Sequence, residues 1–148
     1  MLPQFKTIVA LNNVSYTAGQ TSPTGLIDTL GYDWATIDVI SATSNVVSNV
    51  PTVLKLQEAD VTAASSFADI AAFATPASFP NANTAATAVL QNNFKFNVNC
   101  ASGARKRYLQ VVFAPATTQV TTVIANMGRG EIAPTTAAKA NAMTLTEG

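Results

Sequence analysis

The stretch Arg105–Gly130, RKRYLQVVFAPATTQVTTVIANMGRG, contains the clearest structural pattern in this chain of 148 residues. Two runs rich in β-branched residues, Lys106–Ala114 and Gln119–Met127, flank the short connection Pro115–Thr118. Each run alternates with the period of two that places successive side chains on opposite faces of a strand. Because the connection is short and its proline cannot donate to a strand ladder, the stretch predicts a β-hairpin.

Similar alternation recurs along the rest of the chain and predicts further strands. These are Gln4–Leu11, Val14–Thr17, Trp34–Ala42, Val50–Gln57 and Thr87–Cys100. Between the first two we expect Asn12–Asn13 to form a turn, because asparagine tolerates left-handed backbone. The residues that this alternation predicts to face the core are Ile37, Val39, Leu54, Leu56, Phe94, Phe96 and Val98, and one face of the opening run carries Leu109, Val111 and Phe113.

The order of the predicted elements favours an all-β fold. Strand follows strand with turn signals between them, without the alternation of strand and helix that marks a parallel sheet, which favours an antiparallel β-sandwich or barrel. Ala63–Phe73 is open between a helical turn and a loop, since its large apolar residues recur at helical spacing. We expect one β-sandwich domain over residues 1–130.

The sequence changes character after Gly130. Residues 131–148, EIAPTTAAKANAMTLTEG, contain few large apolar side chains and no regular period. Such a segment cannot bury enough surface to fold by itself. We expect it to be an extended C-terminal arm ordered by a neighbouring subunit, with packing on its own domain as the alternative.

Charge is sparse and balanced, since eight basic and eight acidic residues give a formal net charge of zero. Nucleic-acid binders need a basic stripe that releases counterions, so this balance argues against one. The sequence also contains no apolar run long enough for a membrane span, and Met1–Asn13 lacks the features of a signal peptide, so we expect synthesis in the cytoplasm. A polar, uncharged surface suits contact with other proteins, because charge is depleted where interfaces are buried.

The residue types needed for common catalytic sites are missing or scattered. The chain contains no histidine, which excludes Ser-His-Asp and Cys-His catalysis and most zinc sites. The carboxylates show no spacing that selects a glycosidase pair, and Glu58–Asp60 is only a weak match to a calcium loop. The single cysteine, Cys100, is expected to be a packed residue. We therefore predict no enzyme, no cofactor and no metal.

Two clusters have both a structural and a functional interpretation. Arg105–Arg107 can be a solvated strand entrance that protects a sheet edge, or an ion-pairing patch that faces an acidic partner. Tyr32 and Trp34 can be core or rim packing, or an exposed platform for stacking sugars. We also predict which residues contact partner proteins. They lie in the basic cluster Arg105–Arg107, just after the run Gln119–Met127 and on the C-terminal arm. They are Arg105, Lys106, Arg107, Arg129, Glu131, Ile132 and Leu145.

The order of several segments resembles a known family. The segments are YTAG at 16–19, IDTLGYDWATIDV at 27–39, VLKLQEAD at 53–60, SFADI at 66–70, KRYLQVVFAP at 106–115 and MGRG at 127–130. This order is similar to that of the capsid decoration, or cement, proteins of tailed bacteriophages, which are small jelly-roll-like β-sandwiches. The resemblance covers most of residues 16–130 and contains no catalytic motif.

The resemblance implies a location, a partner and a mode of action. A decoration protein lies on the virion, binds the outer surface of an assembled capsid and stabilises contacts between copies of the major capsid protein, often as a homotrimer. It binds no nucleic acid or membrane directly. The alternative interpretation is a β-sandwich module of a phage fibre or tail that binds carbohydrate or a host surface.

Overall fold

The computed structural model describes residues 5–41, 51–74, 92–101, 103, 105–129 and 144–147. The strands are β1 (Phe5–Tyr16), β2 (Ser22–Pro23), β3 (Ile27–Asp28), β4 (Trp34–Ser41), β5 (Val53–Ala59), β6 (Ala68–Asp69), β7 (Asn92–Asn99), β8 (Tyr108–Ala114), β9 (Gln119–Gly128) and β10 (Thr144–Glu147). Two short 3-10 helices, Ala64–Ser66 and Ala71–Phe73, lie on either side of β6 in the sequence.

The strands form two sheets that enclose one core. Sheet A has the order β1-β9-β4-β7-β10, and sheet B has the order β2-β8-β5-β6, with β3 also paired to β8. Neighbouring strands run antiparallel, apart from β10, which runs parallel to β7. The prediction of an all-β, antiparallel β-sandwich is confirmed.

Successive strands alternate between the two sheets. The chain passes from β1 in sheet A to β2 and β3 in sheet B, returns to sheet A for β4, and forms β5 and β6 in sheet B. It then alternates again through β7, β8 and β9, so that β9 comes to lie between β1 and β4. This arrangement is that of a jelly roll, in which Greek-key connections wrap two sheets into a sandwich.

The predicted hairpin does not form, although both of its strands do. β8 pairs with β5 in sheet B, whereas β9 pairs with β1 and β4 in sheet A. The connection Pro115–Thr118 therefore crosses from one sheet to the other. Alternation of apolar residues determines which face of a strand is buried, but it does not determine which other strand pairs with that strand. Here the inward faces of β8 and β9 contribute to one core cluster from opposite sheets.

A second correction concerns the start of the chain, where the two predicted strands are one. β1 is a continuous strand of 12 residues, and its pairing with β9 shifts between Val9 and Leu11 and again between Leu11 and Val14. Asn13 does adopt a left-handed backbone, with φ of 49°. This conformation produces a β-bulge rather than a chain reversal, because a bulge also accommodates an extra residue without ending the strand.

The predicted inward faces of the other strands are confirmed. The fully buried side chains include Ile37 and Val39 of β4, Leu54 and Leu56 of β5, Phe94, Phe96 and Val98 of β7, and Leu109, Val111 and Phe113 of β8. T-shaped contacts between aromatic rings connect Tyr16 with Phe113 and Phe73 with Phe96. The predicted residues Thr87–Gln91 of the β7 segment lie outside the described residues.

The segment Ala63–Phe73, which the sequence left open, is neither one helix nor one loop. Its two 3-10 helices are separated by β6, and only Phe73 and Ile70 are buried. Ile70 N donates to Leu56 O at 3.0 Å, which fixes the segment to β5.

The end of the predicted arm belongs to the domain's own sheet. Thr144–Glu147 form β10, whose residues pair in parallel with Phe94–Asn97 of β7. For these residues the structure shows the alternative, packing on their own domain, and contact of the segment with a neighbouring subunit stays a prediction. Residues 130–143 lie outside the described part of the chain.

Candidate interaction surfaces

The two ends of the sandwich differ in charge. At one end β3, β5, β7 and β9 finish and β4 and β8 begin, and we call it the charged end. The charged residues at or near those strand ends include Asp28, Asp33, Glu58, Asp60, Arg105, Lys106, Arg107 and Arg129. Residues that are far apart in sequence thus converge because the antiparallel strands of both sheets end together.

A bidentate ion pair at the charged end connects β3 with the residue before β8. Asp28 lies opposite Tyr108 in the strand register, which brings its carboxylate to the neighbouring Arg107. Arg107 donates through Nε to Asp28 Oδ1 at 2.9 Å and through Nη2 to Oδ2 at 2.7 Å. These hydrogen bonds hold the pKa of Asp28 below its ordinary value. The guanidinium also lies 4.7 Å from the centre of the Tyr108 ring.

A second carboxylate, Glu58, anchors the segment that leads into β8. Its Oε2 accepts a hydrogen bond from Lys106 N at 3.1 Å and lies 3.8 Å from Arg105 Nη1. The side chains of Arg105 and Glu58 are only 20% and 12% exposed. Charges this poorly hydrated are costly unless they are paired, so the contact holds the loop before β8 in place.

Backbone carbonyl groups at this end accept further hydrogen bonds from within the molecule. Arg129 Nε donates to Gly31 O at 2.7 Å. Asp33 O accepts from Cys100 N at 2.8 Å and from Ala101 N at 3.0 Å. Burial raises the pKa of the Cys100 thiol to about 12, so almost no reactive thiolate is present at neutral pH.

These contacts bear on the residues that the sequence predicted to meet partners. The structure brings Arg105, Lys106, Arg107 and Arg129 together at the charged end, where two of the guanidinium groups are paired with acidic residues of the same chain. Of the other candidates, Glu131 and Ile132 lie outside the described residues, and Leu145 belongs to β10. Their contact with a partner stays a prediction.

At the opposite end, which we call the neutral end, the described residues contribute the loops at Thr17–Thr24, at Pro51–Thr52 and at Pro115–Thr118. None of these loops contains a charged residue. They are tied to one another by their backbones, since Gly19 N donates to Pro115 O at 2.8 Å and Thr52 N donates to Ala114 O at 2.9 Å. The result is a pre-formed surface of hydroxyl, amide and backbone groups.

The sequence analysis does not predict the neutral end, although the sequence contains a signal for it. Charged residues are absent from four long stretches, 7–27, 39–54, 70–94 and 108–128. The described parts of these stretches include the strand ends at the neutral end, namely the end of β1, the end of β4 and start of β5, the start of β7, and the end of β8 and start of β9. The signal becomes visible only when the strand order is known, because the four stretches are separated in the sequence.

A third surface is the outer face of sheet A along β1 and β9. Phe5 is 66% exposed and Val9 is 56% exposed, and Val9 lies opposite Ile124. The Trp34 ring lies across Gly128, where an added Cβ would overlap it, and it meets Phe5 edge-on with ring centres 6.5 Å apart. Tyr32 is buried, so the proposed sugar platform cannot include it.

The described residues contain no group of three or more His, Cys, Asp or Glu side chains placed to hold a metal ion. The Glu58–Asp60 segment is engaged instead through Glu58 with the backbone and side chains before β8. Over the same ranges, no helix has the length and apolar character needed to cross a membrane.

Comparison of the chain with protein-family models, with curated proteins and with solved structures finds no match.

Proposed function

We propose that this protein is a non-enzymatic structural protein of a phage virion that binds the outer surface of an assembled capsid and stabilises contacts between subunits of the major capsid protein. The observation that carries this proposal is the separation of charge between the two ends of the sandwich. The neutral end faces the shell, and the charged end faces solvent.

The neutral end has the properties of a surface that becomes buried. Burying an unpaired charge costs several kcal/mol, and the cores of protein interfaces are correspondingly depleted of charge. The loops at Thr17–Thr24 and Pro115–Thr118 are free of charge and are already fixed by backbone hydrogen bonds. Pre-formed loops lose less conformational freedom on binding, so more of the contact energy remains as affinity.

The effect on the capsid follows from mass action. A protein that binds only the assembled shell stabilises that state by an amount that grows with the logarithm of its free concentration once that concentration exceeds the Kd. The jelly roll itself is found in viral capsid proteins and in lectins, so the fold is compatible with this function without selecting it. The charge distribution is the feature that favours docking on protein.

Co-sedimentation with purified capsids of the phage that encodes this chain tests the proposal. We compare Thr118→Lys, which adds a charge at the neutral end, with Val61→Lys, which adds one near the charged end, since both positions are exposed. Thr118→Lys should weaken binding by about tenfold or more, and Val61→Lys should bind like the unmodified chain. Absence of binding to capsids, or equal binding by both variants, contradicts the proposal.

A binding module for carbohydrate is the second candidate, and the Phe5–Trp34 contact favours it. An exposed aromatic ring beside a half-buried indole offers an apolar surface on which a sugar can stack. Because Trp34 is the single tryptophan of the chain, its fluorescence reports directly on this site. Titration with oligosaccharides should change the emission if sugars bind there, and a Phe5→Ser variant should lose the response; unchanged emission removes this candidate.

A further inference from the structure

The edge of sheet A at the start of β1 is open among the described residues. β1 is the first strand in the order of sheet A, and over Phe5–Val9 it pairs with β9 alone. The unpaired N–H and C=O groups of such an edge are a template for another strand. Farther along β1 the edge is covered, because Gly25 N donates to Ala10 O at 3.0 Å.

The register shows which backbone groups of β1 face outward. Asp33 N donates to Gly128 O at 3.0 Å, so the backbone groups of Gly128 point toward β4. The direction of the backbone N–H and C=O groups alternates from one residue to the next along a strand. The groups of Met127 therefore point toward β1, where Lys6 is the partner of Met127. The next residues of β1 alternate likewise, which leaves the N–H and C=O groups of Phe5, Thr7 and Val9 directed to the open edge.

The sequence of this edge, FKTIV, is complementary to itself in the antiparallel direction about Thr7. Pairing of two copies sets Phe5 against Val9 of the second copy, Thr7 against the same threonine, and Lys6 against Ile8. Aromatic with β-branched and threonine with threonine are favourable cross-strand pairs. The two lysines are diagonal rather than opposite, so their repulsion is small.

We propose that two copies of this chain associate through Phe5–Val9 of β1, paired antiparallel about a two-fold axis at Thr7, so that the two A sheets become one continuous sheet. Each of the outward-facing residues then exchanges two backbone hydrogen bonds with its partner. The exposed side chains of Phe5 and Val9 on the outer face, 66% and 56% accessible in the single chain, cover each other in the pair.

The length of the pairing is limited by the structure. The β-bulge after Val9 and the contact between Gly25 and Ala10 end the open edge. A Cβ at Gly25 would overlap Ala10 O, so this closure depends on glycine. A short pairing of this kind gives a small interface, and we expect association that depends on concentration rather than an obligate dimer.

Sedimentation velocity of the full chain, from micromolar to millimolar concentration and without capsids, tests the inference. Thr7→Pro removes an outward N–H that an edge strand does not need for its own sheet, and it should weaken association by about tenfold. Thr7→Ala is the matched control, because it loses the same hydrogen bond from Thr7 Oγ1 to Asn126 Oδ1 but keeps the N–H. Both variants also lose the contact between the two Thr7 side chains, so Thr7→Ala should weaken association less than Thr7→Pro does.

A side-chain pair of variants keeps the test decisive if Thr7→Pro does not fold. Val9→Lys places a charge against Phe5 of the second copy and should also weaken association by about tenfold. Val120→Lys adds the same charge on β9, at a position that is 39% exposed, and should leave the association between copies unchanged. Any of three results overturns the inference. They are a chain that is monomeric at every concentration, a dimer whose association Val9→Lys does not weaken, and a trimer.

This two-fold pairing differs from the homotrimer that the family resemblance implies, and the same measurement decides between them. It is also independent of capsid binding, since no capsid is present in the experiment. A chain that dimerises but does not bind capsids supports the inference while contradicting the proposed function.

Discussion

At the scale of single residues, Phe113 shows how the core depends on one aromatic side chain. It is 1% exposed and meets Tyr16 edge-on, with ring centres 5.9 Å apart. Phe113→Ala should lower the free energy of unfolding by about 3–5 kcal/mol, because it removes buried surface and leaves a cavity. Urea unfolding measures the change, and Val120→Ala on the outer face is the control, expected to cost under about 0.5 kcal/mol. A negligible cost at Phe113 would mean that its side chain does not face the core.

Cys100 gives a second prediction at the residue scale. Its thiol is partly buried against the core, and burial raises its pKa to about 12. Because the thiolate is the species that reacts, the folded protein should be labelled much more slowly by a thiol reagent at neutral pH than the same protein unfolded in urea. Equal labelling rates would show that the thiol is accessible and ionised in the folded state.

At the scale of elements, the sequence predicted strand faces better than strand partners. The alternation in the predicted segments Trp34–Ala42 and Val50–Gln57 correctly indicated which large apolar side chains of β4 and β5 are buried, because burial depends on the two-residue period of a single strand. The partner of β8 could not be found in the same way. Any strand with a compatible face can lie at its edge, and the short Pro115–Thr118 connection permits a crossing between sheets as well as a hairpin.

The ion pair between β3 and β8 predicts a dependence of stability on pH. The pKa of Asp28 is lowered in the folded state by Arg107, so its contribution is complete above the unfolded pKa and is lost as the pH falls through the folded pKa. Asp28→Asn should therefore flatten the fall in stability below about pH 4. Unfolding in urea at a series of pH values measures this, with Asp60→Asn at an exposed position as control. If the stability of Asp28→Asn falls with pH as steeply as that of the unmodified chain, the Asp28–Arg107 ion pair is not a source of the pH dependence.

At the scale of the whole molecule, the candidate surfaces depend on topology that the sequence could not supply. The cluster Arg105–Arg107 was visible as a run of basic residues, but its acidic partners, Asp28 and Glu58, come from distant parts of the chain. The neutral end is invisible in a linear reading for the same reason. In both cases a property of one end of the sandwich arises because antiparallel strands bring their ends together.

The C-terminal segment provides the last prediction, which distinguishes a role in the domain from a role between subunits. Because β10 pairs with β7, removal of residues 131–148 exposes the β7 edge of sheet A. The truncated chain should lose about 1–3 kcal/mol of stability with the lost strand hydrogen bonds, and its new edge should promote association with other copies.

Thermal unfolding and light scattering of the truncated chain measure these two effects, with deletion of Gly148 alone as the control. The neutral end is formed by other loops, so the fraction that remains folded should still bind capsids. The result that contradicts this prediction is a truncated chain that is as stable as the full chain but no longer binds capsids. In that case the segment would serve a neighbouring subunit, because its contribution to its own sheet would be too small to measure.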